Sequence, residues 1–475
     1  MSMSDCCAPR NGGGYDLAII GAGSAGFSAA ITAAEQGAQV ALIGHGTIGG
    51  TCINVGCMPS KNLIRAAETL HQAETASRFA GIRAQGRIAD WGETVRQKNE
   101  LVLSLRQAKY IDLLPNYETV TYREGRARLT AGGAMVDGDP IKVGKIIVAT
   151  GASSALPSIR GIENVPYLTS TTALELEQLP KSLLVIGGGY IGCELGQMFA
   201  RAGVKVTIAT RRRLLPEAEP EVSHALTQYF NDEGISVCDA LSYQEIRQTP
   251  DGVALTVVVD ERTETIRAER ALITTGRKPN TDGFGLQEAG VALLPNGGVK
   301  IDDRMRTSKR GFYAAGDVTG RHQFVYMAAY GARIAAENAL NGDNKRYDAT
   351  AMPAVVFTDP QVASVGLTET AALDQGLRVK TSTLDLSYVP RALAARDTRG
   401  LIKLVAEVPS GKLLGAHILA PEGSDTIQTA ALAIKTGLTV DDLADTIFPY
   451  LTTVEGLRLA AQTFSKDVAL LSCCA

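Results

Sequence analysis

The chain begins with apolar runs separated by glycine-rich turns, a pattern typical of a dinucleotide-binding fold. The apolar run Leu17–Ile20 predicts a buried strand, residues 28–36 predict an alanine-rich helix, and Val40–Ile43 predicts a second strand. Between the first strand and the helix lies GAGSAG (21–26), whose G-x-G-x-x-G spacing suits a tight turn against a pyrophosphate. This pattern predicts a βαβ unit.

The same pattern recurs in KSLLVIGGGYIGCELGQMFARAGVKVTIAT (181–210), where Gly187, Gly189 and Gly192 have the same spacing. Two such units predict two dinucleotides and two doubly wound parallel domains. The alternative is that one of the two is a vestigial turn.

Further helices and strands are predicted outside the two units. Amphipathic patterns predict helices within 63–79 and 93–114, and KIIVATGA (145–152) predicts a buried strand that ends in a glycine turn. GFYAAGDVT (311–319) predicts another strand, with Asp317 just past its end.

The pattern changes after Pro353, where apolar strands with polar turns precede two helices. The strands are predicted within 354–367, 399–407 and 412–420, and the helices within 426–437 and 439–447. Because this part has no glycine motif, we expect it to serve packing or dimerisation. The expected fold class is α/β, with two Rossmann-like doubly wound dinucleotide-binding domains and a C-terminal α+β dimerisation domain.

Composition excludes several function classes. A chain of 475 residues exceeds one core, and 45% apolar with 20% charged residues is the balance of a soluble globular protein. The net charge of −3 gives no basic excess for nucleic acid, and no apolar run reaches the ~18 residues of a membrane span. The start, MSMSDCCAPRNGGG, lacks the apolar region of a signal peptide, which indicates a cytoplasmic protein.

Eight cysteines are grouped in a way that, in a cytoplasmic protein, indicates redox or metal chemistry rather than structural disulfides. They are Cys6, Cys7, Cys52, Cys57, Cys193, Cys238, Cys473 and Cys474.

The most specific motif is GGTCINVGCMPSK (49–61). Cys52 and Cys57 are separated by four residues and followed by Lys61, in a stretch expected to lead into a helix that starts near Asn62. This spacing lets two sulfurs meet, and a nearby helix N-terminus would lower a thiol pKa. The alternative, two buried structural cysteines, is disfavoured because the motif directly follows a dinucleotide unit.

Together these motifs resemble the pyridine nucleotide–disulfide oxidoreductase family, which includes glutathione reductase, dihydrolipoamide dehydrogenase and mercuric reductase. The resemblance spans nearly the whole chain and also rests on ATG at 149–151 and AAGD at 314–317. It implies that the first unit binds FAD, that the second binds NAD(P)H, and that the last domain forms a homodimer completing each active site. The implied division is a flexible tail (1–14), an FAD-binding domain in two parts (15–152 and 277–350), an NADPH-binding domain (153–276) and a dimerisation domain (351–475).

The resemblance also implies roles for single residues. Cys57 would be the flavin-proximal thiolate and Cys52 the interchange thiol. Lys61 would pair with Glu194 near the flavin, and Tyr190 would cover the nicotinamide pocket. The residues expected to contact FAD are Gly21, Gly23, Ser24, Ala25, Gly26, Gly50, Thr51, Lys61, Thr150, Gly151 and Asp317, the last through the ribityl chain or pyrophosphate. Those expected to contact the nicotinamide dinucleotide are Gly187, Gly189, Gly192, Arg211 and Arg212.

Two strand ends bear on how the cofactors are held. The family usually has an acid at the end of the second strand, where it holds the adenosine ribose of FAD, but VALIGHG has Gly44 there. We therefore expect FAD to be held more by its pyrophosphate and Asp317. In VTIATRRRLL, Thr210 replaces the acid that would select NAD, and Arg211–Arg213 follow, which favours the 2′-phosphate of NADPH. The alternative is a solvated basic turn.

The C-terminal part departs from the disulfide-reducing members. Those members have a His-Pro dipeptide with a Glu five positions after the His, and the His acts as acid–base. Here Tyr450 stands five positions before Glu455, and a phenol with a pKa near 10 substitutes poorly for imidazole. Disulfide substrates are therefore disfavoured.

The chain ends LLSCCA, and adjacent Cys473 and Cys474 can bind a soft metal as thiolates. With FPYLTTVEGLRLAAQTFSKDV before it, this end is similar to that of the mercuric reductases. Hg(II) moves between thiolate pairs by ligand exchange, and its reduction needs two electrons but no protonated leaving sulfur. The alternative is a pair of exposed thiols, and whether Cys6 and Cys7 form a residual mercury-binding arm stays open.

The resemblance thus implies a homodimeric FAD- and NADPH-dependent enzyme that reduces thiol-carried Hg(II) to Hg(0). The expected metal ligands are Cys52 and Cys57, together with Cys473 and Cys474 of the partner subunit, which would deliver the ion. Two alternatives stay open: a disulfide reductase with an unusual tyrosine acid, and a cysteine-rich metal-sequestering protein. The latter is disfavoured because binding alone needs neither dinucleotide unit.

Overall fold

The structure, a computed structural model, describes residues 14–468. Cys6, Cys7, Cys473 and Cys474 lie outside the described residues. Two units are distinguished by their internal packing. The first comprises the described chain up to Asn62 with Gly92–Ala155 and Gly276–Asp348; the second comprises Leu63–Trp91, Leu156–Thr275 and the described chain from Ala349. The predicted division into a tail and three domains stays a prediction.

Strands and helices alternate through most of the described chain. The strands are β1 (Tyr15–Ile20), β2 (Val40–Gly44), β3 (Val120–Glu124), β4 (Ala127–Thr130), β5 (Gly133–Val136), β6 (Asp139–Ile141), β7 (Val143–Val148), β8 (Ala152–Ser154), β9 (Tyr167–Leu168), β10 (Ser182–Ile186), β11 (Lys205–Ala209), β12 (Ser236–Cys238), β13 (Ser242–Thr249), β14 (Gly252–Val259), β15 (Arg262–Ala268), β16 (Arg270–Ile273), β17 (Arg277–Pro279), β18 (Phe312–Ala314), β19 (Pro353–Val356), β20 (Gln361–Gly366), β21 (Val379–Asp385), β22 (Leu401–Glu407) and β23 (Leu413–Ala420).

The α-helices range from one turn to five turns in length. They are α1 (Ser24–Ala34), α2 (Gly50–Val55), α3 (Cys57–Glu74), α4 (Trp91–Arg106), α5 (Ser170–Ala173), α6 (Tyr190–Arg201), α7 (Pro220–Asp232), α8 (Val325–Asn341), α9 (Glu369–Asp374), α10 (Pro390–Ala395), α11 (Gly423–Thr436), α12 (Val440–Asp445) and α13 (Glu455–Gln462). Within residues 14–468, none of these helices has both the length and the apolar character needed to cross a bilayer.

The first unit is built on a five-stranded parallel sheet in the order β18-β7-β1-β2-β3. Residues 17–20 of β1 and all of β2 are buried, as expected of a parallel sheet covered on both faces. Helix α1 connects β1 to β2 and packs against α8, so the predicted βαβ unit is confirmed. The helix starts at Ser24, four residues before the predicted start, because the last glycine of the motif lies inside its first turn.

The second unit contains a second parallel sheet in the order β12-β11-β10-β16-β9, with α6 following β10. An antiparallel sheet of β13, β14 and β15 accompanies it. The same unit holds the C-terminal antiparallel sheet β19-β20-β23-β22-β21, whose core includes residues of α11 and α13. The predicted doubly wound units and the C-terminal α+β part are therefore confirmed as folds.

One predicted boundary is wrong. The helix expected to start near Asn62 starts at Cys57, and Cys52 lies inside the preceding short helix α2. Pro59 does not prevent this early start, because the first N–H groups of a helix have no intrahelical partner and proline is tolerated there. The first helical bond runs from the N–H of Ser60 to the carbonyl of Gly56 at 3.0 Å.

A buried lysine connects three segments of the second unit. The side chain of Lys403 on β22 is 2% exposed, and its Nζ lies 3.0, 2.9 and 2.8 Å from carboxylate oxygens of Glu219, Glu221 and Glu369. Burial alone would lower the pKa of Lys403, but its hydrogen bonds to the three carboxylates raise it overall. The lysine therefore stays charged and compensates a carboxylate, that of Glu219, which is equally buried.

We expect the Lys403→Met variant to be strongly destabilised, because it leaves the buried carboxylate of Glu219 without its lysine counter-charge. Breaking a buried pair from one side costs roughly 3–5 kcal/mol. The measurement is thermal unfolding followed by circular dichroism, with a fall in Tm of several degrees expected. Lys435→Met, which removes an exposed lysine on α11, is the control and should leave Tm almost unchanged. Equal Tm values for the two variants would contradict this account.

Candidate redox and dinucleotide sites

The first glycine turn lets two backbone segments approach more closely than any side chain would permit. Gly21 has φ of +120°, and a Cβ built on Gly26 would lie 1.7 Å from the carbonyl oxygen of Gly21. The helix α1 therefore starts directly above β1, and its cap, Gly23, has no side chain to bond the first N–H groups of Ser24 and Ala25. A helix start of this kind is a site for a phosphate anion.

The redox segment lies beside this turn. The N–H of Gly49 donates to the carbonyl of Ala22 at 2.8 Å, and a Cβ on Gly50 would lie 2.6 Å from Cα of Gly23. Helix α2 therefore begins against the turn, and Thr51 and Cys52 follow in its first residues. This backbone contact positions the first cysteine next to the predicted flavin site.

Cys52 and Cys57 are both reduced in the structure and belong to one local arrangement. A hydrogen bond to Cys57, burial and the charge of Cys57 raise the pKa of Cys52 well above the ordinary thiol value, and the charge of Lys61 opposes this shift. Cys57 is the first residue of the 18-residue helix α3, where the helix dipole favours a negative charge. The raised pKa keeps the thiol of Cys52 protonated.

Two side chains that the sequence analysis did not consider support the redox segment. Asn54 donates from its amide to the carbonyls of Ile48 and Gly50, both at 2.9 Å. Arg106, at the end of α4, donates to the amide oxygen of Asn54 at 3.2 Å. A π-helical segment follows at Gln107–Ile111. π-helical turns of this type are often found at functional sites. The sequence signal that could have revealed Asn54 and Arg106 is a long predicted helix that ends near the redox motif.

The far side of the first site is formed by residues after β7 and β18. Gly151 has φ of +73°, and Asn280 bonds both Thr150 and Gly151, with its N–H donating to Gly151 O at 2.9 Å. Asp317 lies just past the end of β18, as predicted, and begins a short 3-10 helix. Nε of Arg277 lies 3.6 Å from the carboxylate of Asp317. Burial raises the pKa of Asp317, and the charge of Arg277 opposes this. Sequence reasoning missed Arg277 and Asn280, although both stand in TTGRKPN, directly after the strand β16.

These features fit the dinucleotide predicted for the first unit. The turn provides phosphate-binding N–H groups and a backbone surface without side chains, and Asp317 provides a carboxylate acceptor for hydroxyl groups. Among residues 14–468, no cluster of three or more histidine, cysteine or acidic side chains is arranged to hold a metal ion.

The second glycine turn repeats the geometry of the first. Gly187 has φ of +115°, and a Cβ on Gly192 would lie 2.0 Å from the carbonyl oxygen of Gly187. Gly189 caps α6, whose first residue is Tyr190, exposed over 36% of its surface. Burial and the charges of Glu217 and Glu194 raise the pKa of Tyr190. Glu194 is buried and accepts the backbone N–H of Phe357 at 2.9 Å.

The three arginines after β11 differ in what they contact. Arg213 donates to the backbone carbonyls of Pro216 and Ala218, and Arg212 lies 3.1 Å from the carboxylate of Glu217. Within residues 14–468, Arg211 has no such partner and stays available to a ligand. The residue before it, Thr210, is buried, and its N–H donates to the carbonyl of Cys238 at 2.9 Å. Its side chain is an uncharged hydroxyl and does not replace the missing acid.

The C-terminal residues of the predicted site lie around the start of α13. Glu455 is 3% exposed, and its carboxylate accepts the N–H of Leu451 at 3.2 Å. Tyr450, in contrast, is exposed over 51% of its surface. The cysteine pair that completes the predicted metal path, Cys473 and Cys474, lies outside the described residues. Both lone cysteines are expected from the sequence to be buried core residues: Cys193 is buried, whereas Cys238 is only half-buried.

Comparison with known proteins extends these observations to the whole chain. Residues 15–333 match the pyridine nucleotide-disulphide oxidoreductase family model, and residues 352–461 match the dimerisation domain of that family. The mercuric reductase of Streptomyces lividans is 46% identical over 471 residues, covering 97% of this chain and 98% of that protein. The mercuric reductase of Shigella flexneri is 47% identical over 477 residues, covering 98% of this chain and 83% of that protein.

Solved structures give the same assignment at lower identity. The Cu(II) complex of the HOCl-induced flavoprotein disulfide reductase RclA from Escherichia coli superposes with a TM-score of 0.83 at 30% identity, covering 96% of this chain and all of that one. LpdA from Mycobacterium tuberculosis superposes with a TM-score of 0.83 at 27% identity, covering 95% and 99%.

We expect Arg277→Met to weaken flavin binding, and to do so more at low pH. Without the charge of Arg277, nothing opposes the effect of burial on the pKa of Asp317, and this pKa rises further. The carboxylate is then protonated at a higher pH than in the unaltered protein. The charged acceptor is present above that pKa and lost as the pH falls through it. Weakening of this charge-assisted contact should lower the affinity for flavin roughly tenfold at pH 5.5 and less at pH 8. The measurement is the amount of flavin retained on gel filtration.

Lys278→Met is the matched control, because Lys278 forms only an exposed pair with Asp282. It should retain flavin equally at both pH values. A loss that is the same at pH 5.5 and pH 8 for Arg277→Met would contradict the role given to Asp317.

Proposed function

The chain belongs to the pyridine nucleotide-disulphide oxidoreductase family, and from this premise we propose that it is a cytoplasmic, homodimeric mercury(II) reductase that uses NADPH. The observation that carries the proposal is the similarity to mercuric reductases over nearly the full length of the chain. The dimerisation-domain match over 352–461 supports the homodimer.

The chemistry of the redox pair supports a soft metal as substrate. Hg(II) favours thiolate sulfur, and two thiolates that lie close together, one in α2 and one at the start of α3, can take it over from two other thiolates by ligand exchange. FAD, when bound at the first glycine turn, would accept a hydride from the nicotinamide and pass on two electrons. The role of the chain is to hold Cys57 as thiolate at the start of α3 and Cys52 beside it. In the overall reaction, one hydride gives two electrons to Hg(II), yielding Hg(0), two released thiolates and one proton.

The residue at position 450 supports a metal substrate over a disulfide. A disulfide needs a proton for its leaving thiolate, whereas reduction of Hg(II) does not. The buried Glu455 that would orient an acid–base residue is present, but the exposed side chain five positions before it is a phenol. A disulfide reductase with a tyrosine acid is the competing function. It is supported by the similarity of the chain to solved flavoprotein disulfide reductases.

Delivery of the ion is assigned to the C-terminal pair. In the proposal, Cys473 and Cys474 of the partner subunit take Hg(II) from small thiols and pass it to Cys52 and Cys57. Each transfer exchanges two Hg–S bonds for two others, so it is nearly thermoneutral.

Nucleotide choice gives the first test. Arg211 lacks a partner among residues 14–468, and a charge-assisted contact to a 2′-phosphate is worth roughly 1.5–3 kcal/mol. We expect Arg211→Ala to raise the KM for NADPH roughly tenfold and to leave the KM for NADH nearly unchanged. Arg213→Ala is the matched control: its guanidinium bonds the loop backbone, so both cofactors should be affected alike. Equal effects of Arg211→Ala on NADPH and NADH would show that the arginines form only a solvated basic turn.

The second test separates mercury reduction from disulfide chemistry. Oxidation of NADPH is followed at 340 nm with thiol-bound Hg(II), with Hg(II) halide, and with oxidised glutathione. We expect turnover with Hg(II) and none above background with oxidised glutathione. In the double variant Cys473→Ala/Cys474→Ala, turnover of thiol-bound Hg(II) should collapse while that of Hg(II) halide, which reaches the inner pair directly, should fall less.

The outcomes separate the steps of the proposal. The double variant should keep its flavin content and its dimeric state, which checks that only delivery was altered. Full activity of this variant with thiol-bound Hg(II) would overturn the delivery step. Faster turnover with oxidised glutathione than with Hg(II) would overturn the metal substrate and favour the tyrosine-acid disulfide reductase.

A further inference from the structure

The strand end that lacks the family acid is already occupied by another side chain. Gly44 is the last residue of β2, the place where an acid would hold the adenosine ribose of a dinucleotide. A Cβ built on Gly44 would lie 2.7 Å from the hydroxyl oxygen of Tyr122 and 2.8 Å from Cβ of Ala22. Both distances are shorter than carbon contacts in proteins. The Tyr122 hydroxyl therefore stands where the side chain of an acid would begin.

The sheet register explains how the tyrosine reaches this place. β3 runs parallel to β2, with Tyr122 opposite Leu42 and Glu124 opposite Gly44. Residues two positions apart in a strand share a face, so the tyrosine side chain lies on the same face as the position of the missing acid. Its ring packs against the core of the first unit, which directs the hydroxyl towards the end of the strand.

The hydroxyl is available for a ligand. Tyr122 is half-buried, and within residues 14–468 its hydroxyl bonds no other protein group. Burial, with a contribution from Glu124, raises the pKa of Tyr122, so the group is a neutral phenol that can both donate and accept a hydrogen bond. A half-buried hydroxyl without a protein partner, located where a ribose is expected, points to that ribose.

We propose that the hydroxyl of Tyr122 holds the adenosine ribose of the dinucleotide bound at the first glycine turn, in place of the acid missing at position 44. This inference rests on the proposed function in one respect, namely that the dinucleotide is FAD. A carboxylate can accept two ribose hydroxyls with charge assistance, whereas the phenol makes one neutral bond. The contribution is therefore a modest one, and affinity depends more on the phosphate contacts of α1.

Glu124 is the competing candidate, because it lies on the same face and directly opposite Gly44. Its side chain is exposed, however, whereas the Tyr122 hydroxyl already lies within 2.7 Å of the position in question. The two residues can be distinguished by experiment, since either can be replaced without changing its size.

The experiment measures flavin affinity rather than activity. Apoprotein is titrated with FAD and with FAD analogues that have a 2′-deoxy- or 3′-deoxyadenosine, and binding is followed by quenching of flavin fluorescence. In the unaltered protein, at least one analogue should bind about 2- to 10-fold more weakly than FAD, as expected for one neutral hydrogen bond. In Tyr122→Phe, which keeps the ring and its packing, FAD should weaken by a similar factor and the difference between FAD and that analogue should disappear.

Glu124→Gln is the comparison variant and should keep the difference between FAD and the analogue. The proposal is overturned if Tyr122→Phe discriminates between them as well as the unaltered protein does, or if Glu124→Gln removes the discrimination instead. Thermal unfolding of each apoprotein shows whether the fold is intact. Failure of the unaltered protein to bind FAD would contradict the proposed function itself, whereas normal FAD binding by Tyr122→Phe would contradict only this inference.

Discussion

Both dinucleotide sites depend on one contact, in which a glycine inside the helix touches the carbonyl oxygen of the glycine that ends the strand. A single added carbon at Gly26 or Gly192 would overlap the oxygen of Gly21 or Gly187. Because the contact is between backbone atoms, it brings the helix start to within hydrogen-bonding reach of a phosphate at the sheet edge. The position of the phosphate then determines where the adenosine ribose and the reactive ring of each cofactor can lie.

The same kind of contact positions the redox cysteines in the first unit. Gly50 meets Gly23 through their backbones, and the N–H of Gly49 bonds the turn, so α2 cannot move away from the flavin site without losing both contacts. Asn54 and Arg106 then support the helix from the other side. The position of Cys52 relative to the first glycine turn is therefore determined by backbone packing rather than by contacts of flexible side chains.

The sequence predicted the folds well where periodicity and glycine spacing act together. The strands β1, β2, β10 and β11 and the C-terminal strands β19, β20, β22 and β23 lie where apolar runs placed them, whereas the edge strand β21 was not predicted. The start of α3 lies five residues before the predicted start, because the redox motif itself forms the first turn of the helix and that turn tolerates Pro59. Pairings between distant segments could not be predicted: no local pattern places Tyr122 on Gly44, Arg277 on Asp317 or Lys403 among its glutamates. Those contacts follow from strand register and packing, which a single sequence does not specify.

The site around Tyr450 shows how this scaffold can change substrate without changing its electron path. Glu455 stays buried and bonded to the backbone of Leu451, so the local support for an orienting carboxylate remains. In the proposed function, the exposed residue at position 450 determines whether a proton can be supplied to a leaving thiolate. Since the reduction of Hg(II) passes two electrons to the metal and needs no protonated leaving sulfur, the proposed reaction loses little when imidazole is replaced by phenol. A disulfide, in contrast, needs that proton donor, so in the proposed function the residue at position 450 separates the two substrate classes, while the half-buried Cys52 and the exposed Cys57 serve either.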